Sequence, residues 1–291
     1  MIGIISAFGA TISWTYACFI WRQQTEKYKS IDINLVKNII AFLIFLPAFI
    51  NLGSSTEPKS IFILLLSGII GIGLGDTFYI NSLRVIGTRR TLSIETLSPL
   101  LAALSGEIFI NENLAIKSWM GIIMVSISLF FLLRNKKELL IQNSTIITKE
   151  NILKTYLFPF LSVLCAVIGG LLSRKVFLES NLSPFQTTEI RLLGAIIFLI
   201  IITKFRVNFF LNNLDNKEKK KFLISIILGT NIGIFLQQIV FKTLPIGIGW
   251  TLLSISPVIS LPFAKKEEGP ITKHIIIFTA SLFIGLCLII L

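Results

Sequence analysis

The sequence predicts an all-α integral membrane protein whose ten transmembrane helices form two inverted five-helix repeats around a central cavity. Its composition is the first reason, since 54% of the 291 residues are hydrophobic, 14% are charged and the mean hydropathy is +0.83. A soluble domain carries about 25% charged residues. Because a soluble fold could not bury so much apolar surface, the bilayer must be part of the solvent. This excludes a cytosolic enzyme, a disordered chain and, despite the net charge of +12, a nucleic-acid-binding protein.

The second reason is the number of apolar segments that can cross a bilayer. A spanning helix needs about 20 mainly apolar residues, and helices satisfy their backbone polar groups within lipid. Ser183 followed by Pro184 and Gln186 matches a capping box and predicts where the seventh helix begins. The ten predicted spans are 2–21, 33–52, 61–83, 91–109, 117–133, 152–173, 184–203, 222–241, 245–264 and 273–291.

An internal repeat is the third reason. The longest polar stretch, residues 134–154, separates a first five-helix repeat at 1–134 from a second at 152–291, with a predicted cytoplasmic linker at 135–151. Shifting the second repeat back by 158 positions aligns a glycine-bearing helix, a basic helix end and a helix with Ser-Pro, in the same order. The aligned residues are Gly75 with Gly233, Arg84 with Lys242, and Ser98-Pro99 with Ser256-Pro257.

Lysine and arginine counts predict the orientation. The loops after odd-numbered spans, with their flanks, hold 21 of these residues, and the loops after even-numbered spans hold five. Lys37 belongs to the first set, as a flank of the loop after helix one. The odd-numbered loops are therefore predicted to be cytoplasmic and both termini outside, in a bacterial-type inner (plasma) membrane. Because each half has an odd number of helices, the second half must lie upside down relative to the first.

Short motifs follow one another along both halves. They are Gly75-Asp76-Thr77 through Leu83, Thr88-Arg89-Arg90, Glu95, Ser98-Pro99 and Glu107 to Asn113, with a weaker second copy at Leu244-Pro245, Ser256-Pro257 and Lys266-Glu267-Glu268-Gly269. With these motifs and its ten spans, the chain resembles the EamA branch of the drug/metabolite transporter superfamily over nearly its whole length.

The resemblance implies a secondary transporter, not an enzyme, that exports a small organic molecule such as an amino acid and needs no cofactor. It places helices five and ten outermost and the other helices around a central cavity. Many relatives keep both termini in the cytoplasm, opposite to the charge count, so the orientation stays open. The expected partners are the substrate and the bilayer, and coupling protons and a homodimer are further alternatives.

Two carboxylates are candidates for substrate binding or proton coupling. Asp76 lies in the apolar run 68–83, about 12 Å along the helix from Arg84 at a rise of 1.5 Å per residue, and a charge at such depth usually faces a cavity or a partner. A tight turn would bring Glu95 to a similar depth, where two carboxylates in one cavity can carry a proton near neutral pH. The alternatives are a structural pair for Asp76 and an interfacial Glu95 paired with nearby arginines.

Amide and phenol side chains are predicted to contribute to the cavity. Gln237 and Tyr79 occupy matched repeat positions, and Asn231 and Gln238 share one helix face at seven-residue spacing. They can hydrogen-bond a polar substrate or, alternatively, join helices within the bilayer.

Larger side chains offer further contacts. Trp14 and Trp250 can stack on an apolar or aromatic substrate, whereas Trp21 is predicted to be an interfacial anchor. Arg191 can meet an anionic group or an internal partner. Glu189 is expected near the interface and, two residues away from Arg191, does not face it.

The alternative function is intramembrane proteolysis, because residues 73–76 match the Gly-x-Gly-Asp signature of intramembrane aspartyl proteases. That chemistry needs two aspartates, and the other two, Asp32 and Asp215, fall in predicted loops. The single histidine, His274, and three scattered cysteines argue against a metal site. The sequence therefore favours a transporter that rocks between two openings.

Overall fold

A computed structural model describes residues 1–51, 57–133, 149–206, 209–256, 258–259 and 273–290. These described residues are mainly helical and contain no β-strand, in agreement with the predicted all-α class. A 3-10 segment, Leu46–Asn51, extends the second helix. The helices of the first half are α1 (Ile2–Thr25), α2 (Ser30–Phe45), α3 (Pro58–Ser67), α4 (Asp76–Glu95), α5 (Ser98–Ile110) and α6 (Ile116–Leu133).

The second half begins with a long helix. This helix starts three residues before the predicted sixth span, and residues 134–148 of the expected linker region lie outside the described residues. Ser183 forms the expected capping box, since its side chain accepts a hydrogen bond from the amide of Gln186. The helices are α7 (Lys149–Glu179), α8 (Pro184–Ile202), α9 (Asn216–Ser225), α10 (Gly233–Thr243), α11 (Ile246–Leu253) and α12 (Lys273–Ile290).

Six stretches of helix are long and apolar enough to cross a bilayer, judged by length and composition among the described residues. Three shorter apolar helices, Ser98–Ile110, Ile116–Phe131 and Ile277–Ile290, accompany them. Residues 257 and 260–264 of the predicted ninth span lie outside the described residues, so the count of ten stays a prediction. The six stretches are Ile2–Thr25, Ser30–Ala48, Pro58–Gly87, Leu157–Glu179, Pro184–Ile202 and Asn216–Thr243.

Two π-helical segments lie at matched positions of the two halves. Gly68–Gly75 joins α3 to α4, and Ile226–Ile232 joins α9 to α10. The second segment begins 158 positions after the first, which is the offset that aligns the two halves in the sequence. Since π-helices account for well under 1% of residues and often mark functional sites, their matched placement supports a two-repeat layout.

The helix pair formed by α1 and the α9–α10 rod is antiparallel. Gly3 near the start of α1 packs against Thr243 at the end of α10, and Trp14 packs against Gly233 midway. At the other end, residues just after α1 meet the first turn of α9. The 24 residues of α1 span about 36 Å, so its two ends mark opposite sides of the molecule.

The α3–α4 rod runs in the same direction as α1. Cys18 contacts Tyr79, and four residues later Arg22 lies beside Gly87. Gly87 has a φ of 79° and a ψ of 168°, a conformation that L side chains rarely adopt, and it kinks α4 between the predicted third and fourth spans. The rods that carry the two π-helical segments therefore run in opposite directions.

Glycines set the closest helix contacts. Gly71 and Gly169 bring the α3–α4 rod against α7, because a Cβ built on Gly169 would lie 2.7 Å from the Cα of Gly71. Gly121 and Gly285 do the same for α6 and α12, the two helices that the family resemblance places outermost. These backbone approaches hold the bundle together by van der Waals contact, as expected for helices in lipid.

Candidate functional site

An ion pair joins α2 to the first residue of α4. Lys37 Nζ lies 2.6 Å from Asp76 Oδ2. The side chain of Lys37 is completely buried, whereas that of Asp76 is 32% exposed. Removing a charge from water is costly unless a partner compensates. The Lys37 side chain therefore has a partner of opposite charge, while part of the Asp76 side chain remains exposed.

The position of Lys37 corrects the sequence analysis. It lies within α2 and not in the flank of a loop, and its ammonium sits 5.2 Å from the centre of the Trp21 ring. Trp21 is only 4% exposed, so its prediction as an interfacial anchor was wrong as well. Removing one residue from a set of 21 leaves the charge asymmetry between the two sets of loops intact.

Two asparagines of α2 hold Lys37 in place. Asn34 Nδ2 donates to the carbonyls of Ile72 and Gly73 and to Thr77 Oγ1, at 2.9 to 3.1 Å. The two carbonyls belong to the π-helical segment, where the wide turn weakens the regular backbone pattern. Two further hydrogen bonds connect Asn34 to the lysine. Asn38 Nδ2 donates to Asn34 Oδ1, and Lys37 Nζ donates to Asn38 Oδ1.

This network was missed by sequence reasoning, although a signal existed. Asn34, Lys37 and Asn38 fall at positions i, i+3 and i+4 within the predicted span 33–52. Residues with that spacing share one helix face. A polar face inside an apolar span indicates an internal partner, and Asp76 is that partner.

Tyr79 and Glu95 lie close to the ion pair. Tyr79 follows Asp76 by about one turn, and its hydroxyl lies 3.0 Å from Cys18 Sγ of α1. Glu95 at the end of α4 is partly exposed, and Asp76 lies near enough to act on it electrostatically. Tyr79 therefore lies about one turn from Asp76 on α4, and Glu95 lies within electrostatic range of Asp76.

The amide side chains of the second half have mixed roles. Asn231 Nδ2 donates to the carbonyl of Ala41 at 2.9 Å, so Asn231 joins the second π-helical segment to α2. Gln237 is 6% exposed, and Gln238 is fully buried with neither amide atom bonded to another described residue. Asn231 therefore fits the alternative of a helix-joining residue, whereas Gln238 retains unused hydrogen-bonding capacity.

Arg191 and Glu189 are both buried in α8. Arg191 is 3% exposed, its guanidinium lies against Gly71, and Asp76 is near enough to act on it electrostatically. Its Nε and Nη1 donate no hydrogen bond to another described residue. Glu189 is 0% exposed, so neighbouring helices enclose it, and its interfacial position stays a prediction. A second buried cation therefore lies near the same carboxylate as Lys37.

The two candidate tryptophans pack within the protein. Trp14 Nε1 donates to the carbonyl of Gly229 at 2.8 Å, in the second π-helical segment. Trp250 is 8% exposed, and its ring lies 5.8 Å from that of Phe241. Trp14 thus uses its only donor inside the bundle, and the Trp250 ring packs against Phe241.

The aspartates do not form the dyad of an aspartyl protease. Asp32 lies in the first turn of α2, and Asp215 caps α9 by accepting a hydrogen bond from the amide of Glu218. Asp76 is paired with a lysine, which supplies a fixed positive charge where proteolysis needs a second carboxyl group.

Comparisons with known proteins agree with this architecture. The model of the EamA-like transporter family matches residues 1–134 and 153–291. One solved crystal structure superimposes with a TM-score of 0.73 and 16% identity, over 98% of this chain and 95% of the other, which shows a shared fold alone. A search of curated protein sequences gives no significant match. Because the family match covers both repeats and nearly every residue, the chain belongs to the EamA-like transporter family, whose members are membrane transporters of the drug/metabolite type and not enzymes.

Proposed function

We propose that the protein is a secondary transporter that exports a small zwitterionic metabolite, such as an amino acid, by alternating access coupled to protons. The observation that carries this proposal is the Lys37–Asp76 pair, which has one wholly buried member and one accessible carboxylate. A substrate ammonium can bind the accessible side of Asp76. Transport then requires only that Asp76 exchange Lys37 for the substrate ammonium. Breaking an ion pair that has one accessible member costs less free energy than breaking a wholly buried pair.

The charges around Asp76 favour a zwitterion over a multiply charged anion. Lys37 and Arg191 supply two positive charges, and Asp76 and Glu95 supply two carboxyl groups. The cluster is neutral once the coupling proton has left and both carboxyl groups are ionised. A ligand that carries one charge of each sign keeps that balance, whereas a phosphate ester would add negative charge without a matching cation.

Opposite helix directions support alternating access. The α3–α4 and α9–α10 rods carry the matched π-helical segments and run in opposite directions beside α1. Such inverted copies commonly build transporters in which one copy rocks against the other around a site near the midplane. Two inverted five-helix repeats are therefore part of the proposal.

Proton coupling rests on the neighbouring carboxyl groups. When two carboxyl groups lie close together in a space of low dielectric constant, one of them readily holds a proton. Asp76 and Glu95 form such a neighbourhood. A proton and a substrate ammonium then compete for the same carboxylates. Such competition is what the exchange of protons for substrate across the membrane requires.

The test is substrate flux in proteoliposomes under an imposed pH gradient. We expect Asp76→Asn to reduce gradient-driven amino-acid flux at least about tenfold, which corresponds to the loss of about 1.4 kcal/mol. Glu179→Gln is the matched control, because Glu179 pairs with Lys59 at 3.6 Å on an exposed surface. Unchanged flux in Asp76→Asn would remove Asp76 from the mechanism, and efflux from cells that overexpress the protein tests the direction.

A further inference from the structure

A pocket of about 260 Å³ lies where the end of α1 meets the first turns of α9. Lys27 and Gln24 contribute from the first half of the chain, and Glu218 and Lys221 from the second. Ile20 is the apolar member of this lining. The loops at this end belong to the set that the lysine and arginine counts predict to face the cytoplasm.

One side chain of the pocket has an unused acceptor. Gln24 is only 4% exposed, and its Oε1 accepts no hydrogen bond from another described residue. Leaving a buried carbonyl oxygen without a donor is unfavourable. A bound molecule with an N–H group would supply the missing donor.

An exchangeable ion pair lies across the same pocket. Lys27 Nζ is 2.6 Å from Glu218 Oε1, and the two side chains are 54% and 33% exposed. Exposed pairs of this kind contribute little free energy and separate readily. Glu26 and Lys221 complete the charged lining, so the four charges sum to zero. A zwitterion leaves this balance unchanged and also supplies an opposite charge to each member of the separated Lys27–Glu218 pair.

We propose that this pocket is an access site, which binds the zwitterionic substrate before it moves to Asp76. The inference rests on the proposed function. The ligand's ammonium group lies beside Glu218 and donates to Gln24 Oε1, and its carboxylate lies beside Lys27. Drug-sized ligands fill roughly 300–1,000 Å³, so a cavity of about 260 Å³ suits a molecule the size of an amino acid.

Binding at this site also has a mechanical consequence. Lys27 belongs to the first half and Glu218 to the second, so their ion pair directly connects the two halves. A zwitterion that binds between them replaces this direct contact by two contacts with the ligand. Occupancy therefore loosens this end of the transporter and admits the substrate.

Saturation-transfer NMR tests the site on the full-length protein in phosphatidylcholine nanodiscs, with a mixture of the common L-amino acids as the probe. We expect a bound amino acid whose dissociation constant at this site rises about fivefold in Lys27→Met, Glu218→Gln and Gln24→Leu. All variants are compared in an Asp76→Asn background, which removes binding at the proposed transport site, and Glu179→Gln is the control for a surface carboxylate. The N-acetyl and methyl-ester derivatives of the bound amino acid should bind at least about fivefold more weakly, because each lacks one charge.

Equal binding to Asp76→Asn alone and to all three pocket variants would overturn the proposal, as would the absence of any bound amino acid. Loss of binding on adding phosphatidylethanolamine to the nanodiscs would also overturn it, since the ligand would then be a lipid headgroup. The flux assay keeps the two proposals apart. Wild-type flux with an unchanged KM in Glu218→Gln rejects the access site alone, whereas absence of Asp76-dependent flux rejects the proposed transport mechanism.

Discussion

The two ends of the molecule connect the halves of the chain by ion pairs of different kinds. At the end where α1 begins, Arg174 Nε lies 2.5 Å from Glu112 Oε1, and both side chains are only 11% exposed. At the opposite end, Lys27 and Glu218 lie 2.6 Å apart but are 54% and 33% exposed. The two ion pairs therefore have similar lengths but differ in their exposure to solvent.

Additional hydrogen bonds widen the difference. Arg174 Nη1 donates to the carbonyls of Phe241 and Lys242, and Glu112 Oε2 accepts from the amide of Ile246. The Glu112–Arg174 pair therefore satisfies the end of α10 and the start of α11 as well as itself. Buried pairs with such bonds are costly to break, whereas exposed pairs are not. The Lys27–Glu218 end is accordingly the one that separates more readily.

Removing Glu112 should produce the largest effect. Glu112→Ala leaves the Arg174 guanidinium nearly buried without its carboxylate and removes the acceptor of the Ile246 amide, so we expect the free energy of unfolding to fall by about 3 kcal/mol. Denaturant unfolding in detergent micelles measures the change. Glu107→Ala is the control, because Glu107 lies exposed on α5. Equal stability of the two variants would show that the buried pair contributes no more than a surface charge.

Removing the cap of α9 should have a smaller effect at the opposite end. Asp215 Oδ1 accepts a hydrogen bond from the amide of Glu218 at 2.6 Å. Asp215→Ala should destabilise the first turn of α9 by about 1 kcal/mol, which hydrogen exchange of that turn detects. Asp215→Ser retains an acceptor and should behave nearly as the wild type. Unchanged exchange in Asp215→Ala would mean that the cap does not hold Glu218 in position.

The smallest effect concerns the ionisation of Lys27. The hydrogen bond to Glu218 raises the pKa of Lys27 above its usual 10.5. Because the folded-state pKa is the higher one, this stabilisation is fully present below pH 10.5 and is lost as the pH rises through the raised value. In Glu218→Gln the pKa of Lys27 should fall back towards 10.5, as measured by NMR of ¹³C-methylated lysines. An identical titration of Lys27 in both proteins would contradict the contact.

Much of the helical layout follows from local sequence. Ser183 and Gln186 define the start of α8 by themselves, since a capping box needs only residues three apart. The offset of 158 positions also locates the second π-helical segment once the first is known. The spacing of Asn34, Lys37 and Asn38 indicates a polar face on α2, but it does not identify the distant residue that pairs with Lys37.

The pairing of Asp76 depends on residues distant in the sequence. Its partner Lys37 lies 39 positions earlier, on a different helix. Sequence reasoning identified Asp76 as a buried charge but left open whether it faces a cavity or a partner. In the structure one oxygen is bonded to Lys37 and part of the side chain is exposed, so the partner is established and the cavity stays a prediction.

Apolar spans, helix caps and the repeat can be recognised from the sequence alone. Each depends on the spacing of residues along the chain or on the preference of apolar side chains for lipid. The membrane location, the helical class and the family resemblance could therefore be read from the chain alone. The burial of Lys37, Glu189 and Trp21, and the contrast between the two ion pairs that join the halves, required the folded arrangement. The dielectric environment of a charge depends on which distant helices surround it, and no local pattern contains that information.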